Sequence, residues 1–190
     1  MMVGSGIMFK EKLNEKNILV SIFCSFLLFL LSFFILCCPI LRIKDFSFVY
    51  PLFFGVYALT ELLLFALSYH RKEYSNFISF LVSFVLFIMG FLMNLTESPR
   101  SIAISLLVFV LVNALAKLKR ADYYHDRKSR LWSIEMTILV MFIITGVVTS
   151  LNFAWGVEAQ ILTLGFFALI CSIFKVVELL VVYLTKGKLK

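Results

Sequence analysis

Residues 18–38 read ILVSIFCSFLLFLLSFFILCC, twenty-one positions without a charge, a glycine or a proline. A helix rises about 1.5 Å per residue, so crossing ~30 Å of hydrocarbon takes about 20 residues. This run meets that length. Lys10, Lys12 and Lys16 precede it in the manner of a secretory leader, but a leader's apolar region is only about 7–15 residues long. The stretch Phe34-Ile35-Leu36-Cys37 also puts Leu where lipoprotein processing needs a small residue. The run therefore reads as a retained membrane span.

Five more runs of spanning length follow, at 46–69, 77–95, 101–118, 132–153 and 159–184. The fourth is the shortest and most polar. Its ends, Arg100 and Lys117, are able to snorkel outward and lengthen it. The sequence divides into a segment 1–17, a six-span domain over 18–184 and a basic tail over 185–190. Its fold class is all-α, a polytopic membrane protein of six transmembrane helices.

The composition agrees. Hydrophobic residues make up 62% of the 190 positions, charged residues 15%, and the mean hydropathy is +1.02. A soluble domain is about 45–50% apolar and ~25% charged, and could not hide this much apolar surface. The four cysteines, Cys24, Cys37, Cys38 and Cys171, all lie in apolar runs, with His70 and His125 far off in polar stretches. Metal binding needs convergent ligands. The cysteines read as inert buried thiols, and no metal or cofactor is expected.

The net charge is +7. In a soluble protein this would point to nucleic acid, but in a membrane protein the position of Lys and Arg carries more information. One side collects Lys10, Lys12 and Lys16, then Arg71 and Lys72, then Lys117, Lys119, Arg120, Arg127, Lys128 and Arg130, and finally Lys186, Lys188 and Lys190. The other side has Arg42, Lys44 and Arg100. The split predicts both termini in the cytoplasm, and an even number of spans requires them on the same side. A multi-pass protein of a bacterial-type plasma membrane is expected.

The outer loops are short, roughly 39–45, 96–100 and 154–158. The longest polar stretch joins spans four and five and contains Asp122, Tyr123, Tyr124, His125 and Asp126 among its basic residues. It reads as a helix extension lying on anionic headgroups, at about 1 kcal/mol per basic residue. Lys117, Lys119, Arg120, Arg127, Lys128 and Arg130 are thus candidate lipid contacts. The expected partner is the bilayer rather than nucleic acid, with room for a homo-oligomer or a further membrane partner. Trp132 and Trp155 fit the aromatic belts of the two interfaces. Asn94-Leu95-Thr96 matches a glycosylation acceptor but sits at a membrane edge in a tiny loop, and is discounted.

The spans repeat. Ser21, Ser25 and Ser32 match Ser79, Ser83 and Gly90 at a constant offset of 58, and a further 56 takes Gly90 to Gly146. Gly55-Val-Tyr-Ala-Leu-Thr-Glu61 aligns with Gly165-Phe-Phe-Ala-Leu-Ile-Cys171, and span four reads Leu107-Val-Phe-Val-Leu-Val-Asn113 in that register. The chain thus reads as three helical hairpins, at about 18–69, 77–118 and 132–184. Small residues have work to do here, because lipid gives helices no hydrophobic reason to associate and close backbone approach must supply it.

Three hairpins with basic loops after the even helices, and the Gly55–Glu61 stretch, resemble the HdeD-like acid-resistance membrane protein family. Pro39, Gly90 and Trp132 fit the same pattern. The likeness covers about residues 15–184. It departs where span four lacks the small residue before Asn113, and where Phe replaces many Leu, Ala and Gly. The resemblance implies the six-span fold, a membrane location and a stress role at low pH. It implies no biochemical activity.

An ionisable group inside a span costs about 2.5–3.5 kcal/mol on insertion scales, which makes it a functional candidate. Glu61, Lys175, Glu178 and Glu135 qualify, with Asn113 the neutral counterpart of Glu61 in the repeat. All fall toward the cytoplasmic half. Lys175 and Glu178 are three apart and share a helix face. One reading makes the group a structural ion pair that locks helices together. The other makes it a proton- or ion-responsive cluster whose protonation alters packing. No hydrolase elbow, zincin or phosphate-loop motif occurs, and hairpins repeating in one orientation differ from the inverted repeats usual in transporters. The sequence therefore predicts a non-enzymatic stress or structural protein. The alternative is a small transporter or ion-responsive protein that uses Glu61 with Lys175 and Glu178.

Overall fold

The computed structural model describes residues 15–41, 48–68, 74–92, 99–126, 131–151 and 156–187. Six helices account for nearly all of them: α1 Glu15–Ile40, α2 Val49–Ser68, α3 Tyr74–Leu92, α4 Pro99–Asp126, α5 Leu131–Leu151 and α6 Val157–Gly187. No strand occurs among the described residues. All six helices are long and apolar enough to cross a membrane. The chain is an all-α, multi-pass membrane protein. Helices are the expected solution, because every backbone polar group at membrane depth must be satisfied within the protein.

Two of the three prolines sit in the first turn of a helix, and the third lies inside a helix close to its end. Pro99 opens α4 and Pro51 lies in the first turn of α2, where an intrahelical N–H is not needed, and Pro39 comes one residue before the end of α1. The fourth helix runs past its expected span, so Lys117, Lys119 and Arg120 belong to α4 and not to a loop. His125, in its last turn, places its ring 5.1 Å from Trp132 at the start of α5. Arg127, Lys128 and Arg130, together with the side chain of Arg120, lie outside the described residues.

The helices close into a ring. The most extensive close approach joins α1 to α6, followed by α2 to α3 and α4 to α5; α3–α4, α1–α2 and α5–α6 meet less closely. Stepping two helices along the chain converts each tight seam into the next and each slighter seam into the next. Three hairpin repeats about a pseudo-threefold axis produce this alternation. The tight seams run between consecutive hairpins, not within them.

The even helices hold the middle. Phe53 of α2, Phe109 of α4 and Phe167 of α6 are almost fully buried. Their ring centroids lie 5.7 Å (Phe53–Phe109), 6.1 Å (Phe53–Phe167) and 6.2 Å (Phe109–Phe167) apart. Tyr57 adds an edge-on contact to Phe109 at 4.9 Å. Tyr57, Phe109 and Phe167 are the residues that the repeat puts in register. No pair of even helices forms one of the close backbone seams, so side chains fill the space between them. Contact between hydrocarbon and hydrocarbon gains little over lipid, which leaves dispersion and ring geometry as the stabilising forces. Aromatic pairs contribute roughly 0.5–1.5 kcal/mol each beyond area burial. Other phenylalanines face lipid, as Phe84 and Phe91 do in the ladder of rings along α3.

Glycines occupy the seams. A methyl group added at Gly55 would stand 2.7 Å from Phe87 of α3, and one at its repeat partner Gly165 would stand 2.8 Å from Leu36 of α1. Gly90 faces Pro51 of α2 at 2.9 Å, and its partner Gly146 presses against Val110 of α4. Each pair of repeat-related glycines thus meets the corresponding neighbour around the ring. Span four has Leu107 where α2 and α6 have glycine, and its seam with α5 takes the small residue from the α5 side. Ser25 and Ser83 are buried in register, but their hydroxyls donate to the carbonyls of Ser21 (2.8 Å) and Ser79 (2.7 Å) in their own helices. They serve the seams by small volume, with their polarity already satisfied.

Candidate functional site

Helix α2 presents Tyr57, Thr60 and Glu61 at a spacing of three and four, which puts them on one face. Helix α6 delivers Lys175 to that face. Lys175 Nζ lies 2.6 Å from Glu61 Oε1 in an ion pair with little exposure at either side chain. The same ammonium is 3.5 Å from Thr60 Oγ1 and 5.0 Å from the centroid of the Tyr57 ring. Thr60 Oγ1 donates its own proton to the Tyr57 carbonyl at 2.8 Å, which leaves its lone pairs for the lysine. From the third side, Cys24 Sγ of α1 donates to the Thr60 carbonyl at 3.8 Å. One turn of α2 thus holds the cation by charge, hydroxyl and aromatic face.

The pair spans a gap that the backbones leave open, because α2 and α6 do not form a close seam. At low dielectric an unpaired charge is expensive, and removing one member of a buried pair costs roughly 3–5 kcal/mol. Glu61 and Lys175 each remove that penalty from the other.

The remaining expected residues fall as follows. Asn113 is buried on α4, one turn beyond Phe109 as Glu61 is one turn beyond Tyr57. Its Nδ2 donates to the Phe109 carbonyl at 2.8 Å, while its buried Oδ1 has no hydrogen-bond partner. Glu135 is buried on α5. Lys117, the repeat counterpart of Lys175, is half-buried on α4 with Nζ 5.7 Å from the Phe142 ring centroid of α5. The side chain of Glu178 lies outside the described residues. Within the predicted cluster the structure brings Glu61 and Lys175 into direct contact. Of the basic residues assigned to headgroups, Lys119 is exposed.

Sequence reasoning did not assign Tyr57, Thr60 and Cys24 to the site. For Tyr57 and Thr60 a signal existed: both lie within one turn of Glu61 on its face. Cys24 had none, because contact between α1 and α2 depends on the closed ring. The four cysteines are thiols rather than disulfides, and three are buried. Among the described residues no group of three or more His, Cys, Asp or Glu could hold a metal ion.

No family model matches this chain, and neither a curated protein nor a solved structure matches it. Function must therefore be argued from the site itself.

Proposed function

We propose that this chain is a non-enzymatic membrane protein of HdeD-like type with a structural or acid-stress role. In this reading it sits in a bacterial inner membrane with both termini in the cytoplasm. The basic end of α4 and the segment after it then rest on anionic headgroups. The observation that carries the reading is the buried Glu61–Lys175 bond between α2 and α6, placed beside a centre filled by Phe53, Phe109 and Phe167. Touching rings at the middle favour a load-holding bundle over one that passes a solute. The HdeD-like part rests on the Gly55–Glu61 stretch and the three hairpins.

A double-mutant cycle tests the structural role. Lys175→Met should destabilise the protein in mixed detergent micelles, and adding Glu61→Gln should restore part of the loss. Additive losses would remove the pair from its proposed role. The ion-responsive alternative is favoured by one feature, a carboxylate buried among polar groups at one end of the bundle. Thermal stability from about pH 4 to pH 8, compared between wild type and Glu61→Gln, separates the two. Identical profiles would sink the ion-responsive reading, and divergence confined to the acid limb would support it.

A further inference from the structure

Lys175 does more than neutralise Glu61, because the surfaces around its ammonium are of one kind. A primary ammonium carries three N–H donors and no acceptor. Around Nζ the protein supplies a carboxylate oxygen at 2.6 Å, a hydroxyl oxygen at 3.5 Å and the face of Tyr57 at 5.0 Å. Carboxylate, hydroxyl and π face together are the recognition set for an alkylammonium group. All three surfaces come from one turn of α2, so the receptor is built without α6, which contributes only its occupant.

A second observation points the same way. Asn113 Oδ1 is a buried acceptor without a donor. Asn113 and Glu61 each stand one turn beyond rings that touch, those of Phe109 and Tyr57 at 4.9 Å, so both are carried to one level of the inner bundle. A buried, unpaired amide oxygen is destabilising, and the donor it lacks is what an ammonium provides. Lys175 reaches Glu61 and Thr60 and leaves this oxygen unused.

We propose that the inner turns of α2 and α4 form a binding site for a primary alkylammonium group, with Glu61 and Thr60 as principal acceptors, Tyr57 as the π face and Asn113 Oδ1 as the open acceptor. Lys175 is its tethered occupant. An external primary amine enters when Lys175 is withdrawn. This inference does not depend on the likeness to the HdeD-like family.

Lys175→Ala is the direct test, because n-propylammonium replaces the atoms the substitution deletes. The variant should melt about 10 °C below wild type in detergent. Added n-propylammonium should recover at least about half of that loss in a saturable manner, while tetramethylammonium, which has no N–H, and sodium should not. Lys175→Ala/Glu61→Gln should show no recovery. Lys175→Ala/Asn113→Leu should need about five-fold more propylammonium for half-recovery, the loss expected for one hydrogen bond; an unchanged requirement would remove Asn113 from the site. If the variant does not survive purification in sodium, it is purified throughout in n-propylammonium. Recovery there but not in tetramethylammonium supports the site. Folded Lys175→Ala without a saturable response, or recovery in neither salt, overturns it.

Discussion

Glu61 of α2 and Asn113 of α4 occupy one position in successive repeats, and the protein treats them differently. Both are buried, and both stand one turn past a ring at the centre. Glu61 meets a lysine delivered by the neighbouring inner helix. Asn113 turns half of its amide back on its own helix and leaves the other half unpaired. The repeat thus conveys backbone position and burial, while the chemistry at each position is set by which inner helix carries a cation. In the register of Lys175, α4 has Lys117 and α2 has Phe65. In this register the α2–α6 pairing combines a carboxylate with a lysine, and the structure closes it into a polar tie.

The largest expected effect is on that tie. Lys175→Met strands a buried carboxylate and should cost about 3–5 kcal/mol in unfolding free energy. Lys117→Met, its repeat counterpart, should cost less, because Lys117 is half-buried beside the Phe142 ring and its loss leaves the Glu61–Lys175 pair intact. Parallel unfolding titrations check the contrast. Equal losses would mean that the two lysines are equivalent and that the comparison fails.

Next come the seams. Gly55→Leu and Gly165→Leu are repeat partners whose added side chains meet Phe87 and Leu36 at once. Overpacking of this kind typically costs about 1–3 kcal/mol. Both variants should fall in that range, whereas Leu107→Gly, which makes α4 match its sister helices, should not recover the same amount. A Gly55→Leu variant as stable as wild type would mean that the seam relaxes freely and that the small residues are incidental.

How much of this was legible in the sequence follows from the kind of force involved. Spans are set by length and hydropathy, so all six were readable, and the loops sorted by charge. The repeat register was readable too, since Tyr57, Phe109 and Phe167 align by sequence and meet in space. Ring order was not readable. The tight seams α1–α6, α2–α3 and α4–α5 join consecutive hairpins, and no local pattern says which neighbour a glycine will face. The polar cluster was half legible: stranded charges announce themselves at membrane depth, but pairing Glu61 with Lys175 needed the placement of α6 beside α2. Cys24 was invisible, since its contact with Thr60 depends on closing the ring.

A smaller effect, opposite in sign, should come from Asn113. Replacing it with Leu removes an unpaired buried oxygen while roughly keeping the volume, so the variant should be as stable as wild type or more stable by about 1–3 kcal/mol. Glu61→Leu, the same change in the sister position, should destabilise by leaving Lys175 without its counter-ion. Opposite signs at two repeat-equivalent positions would be the clearest expression of the difference between them. A destabilised Asn113→Leu would mean that its oxygen has a donor, such as a bound water, in the membrane.

The smallest effect is expected at Thr60. Thr60→Val keeps the branched shape and deletes a hydroxyl that donates to the Tyr57 carbonyl at 2.8 Å and lies 3.5 Å from Lys175. Its loss should cost about 0.5–1.5 kcal/mol, the net worth of one hydrogen bond. The coupling of this loss to Lys175 decides the role of the hydroxyl. If Thr60 acts on the ammonium, the loss should shrink in the Lys175→Met background, because only the bond to the Tyr57 carbonyl is left to remove. If Thr60 serves only its own helix, the loss should be the same in both backgrounds. The coupling energy therefore says whether Lys175 is held by a single carboxylate or by a full turn of α2.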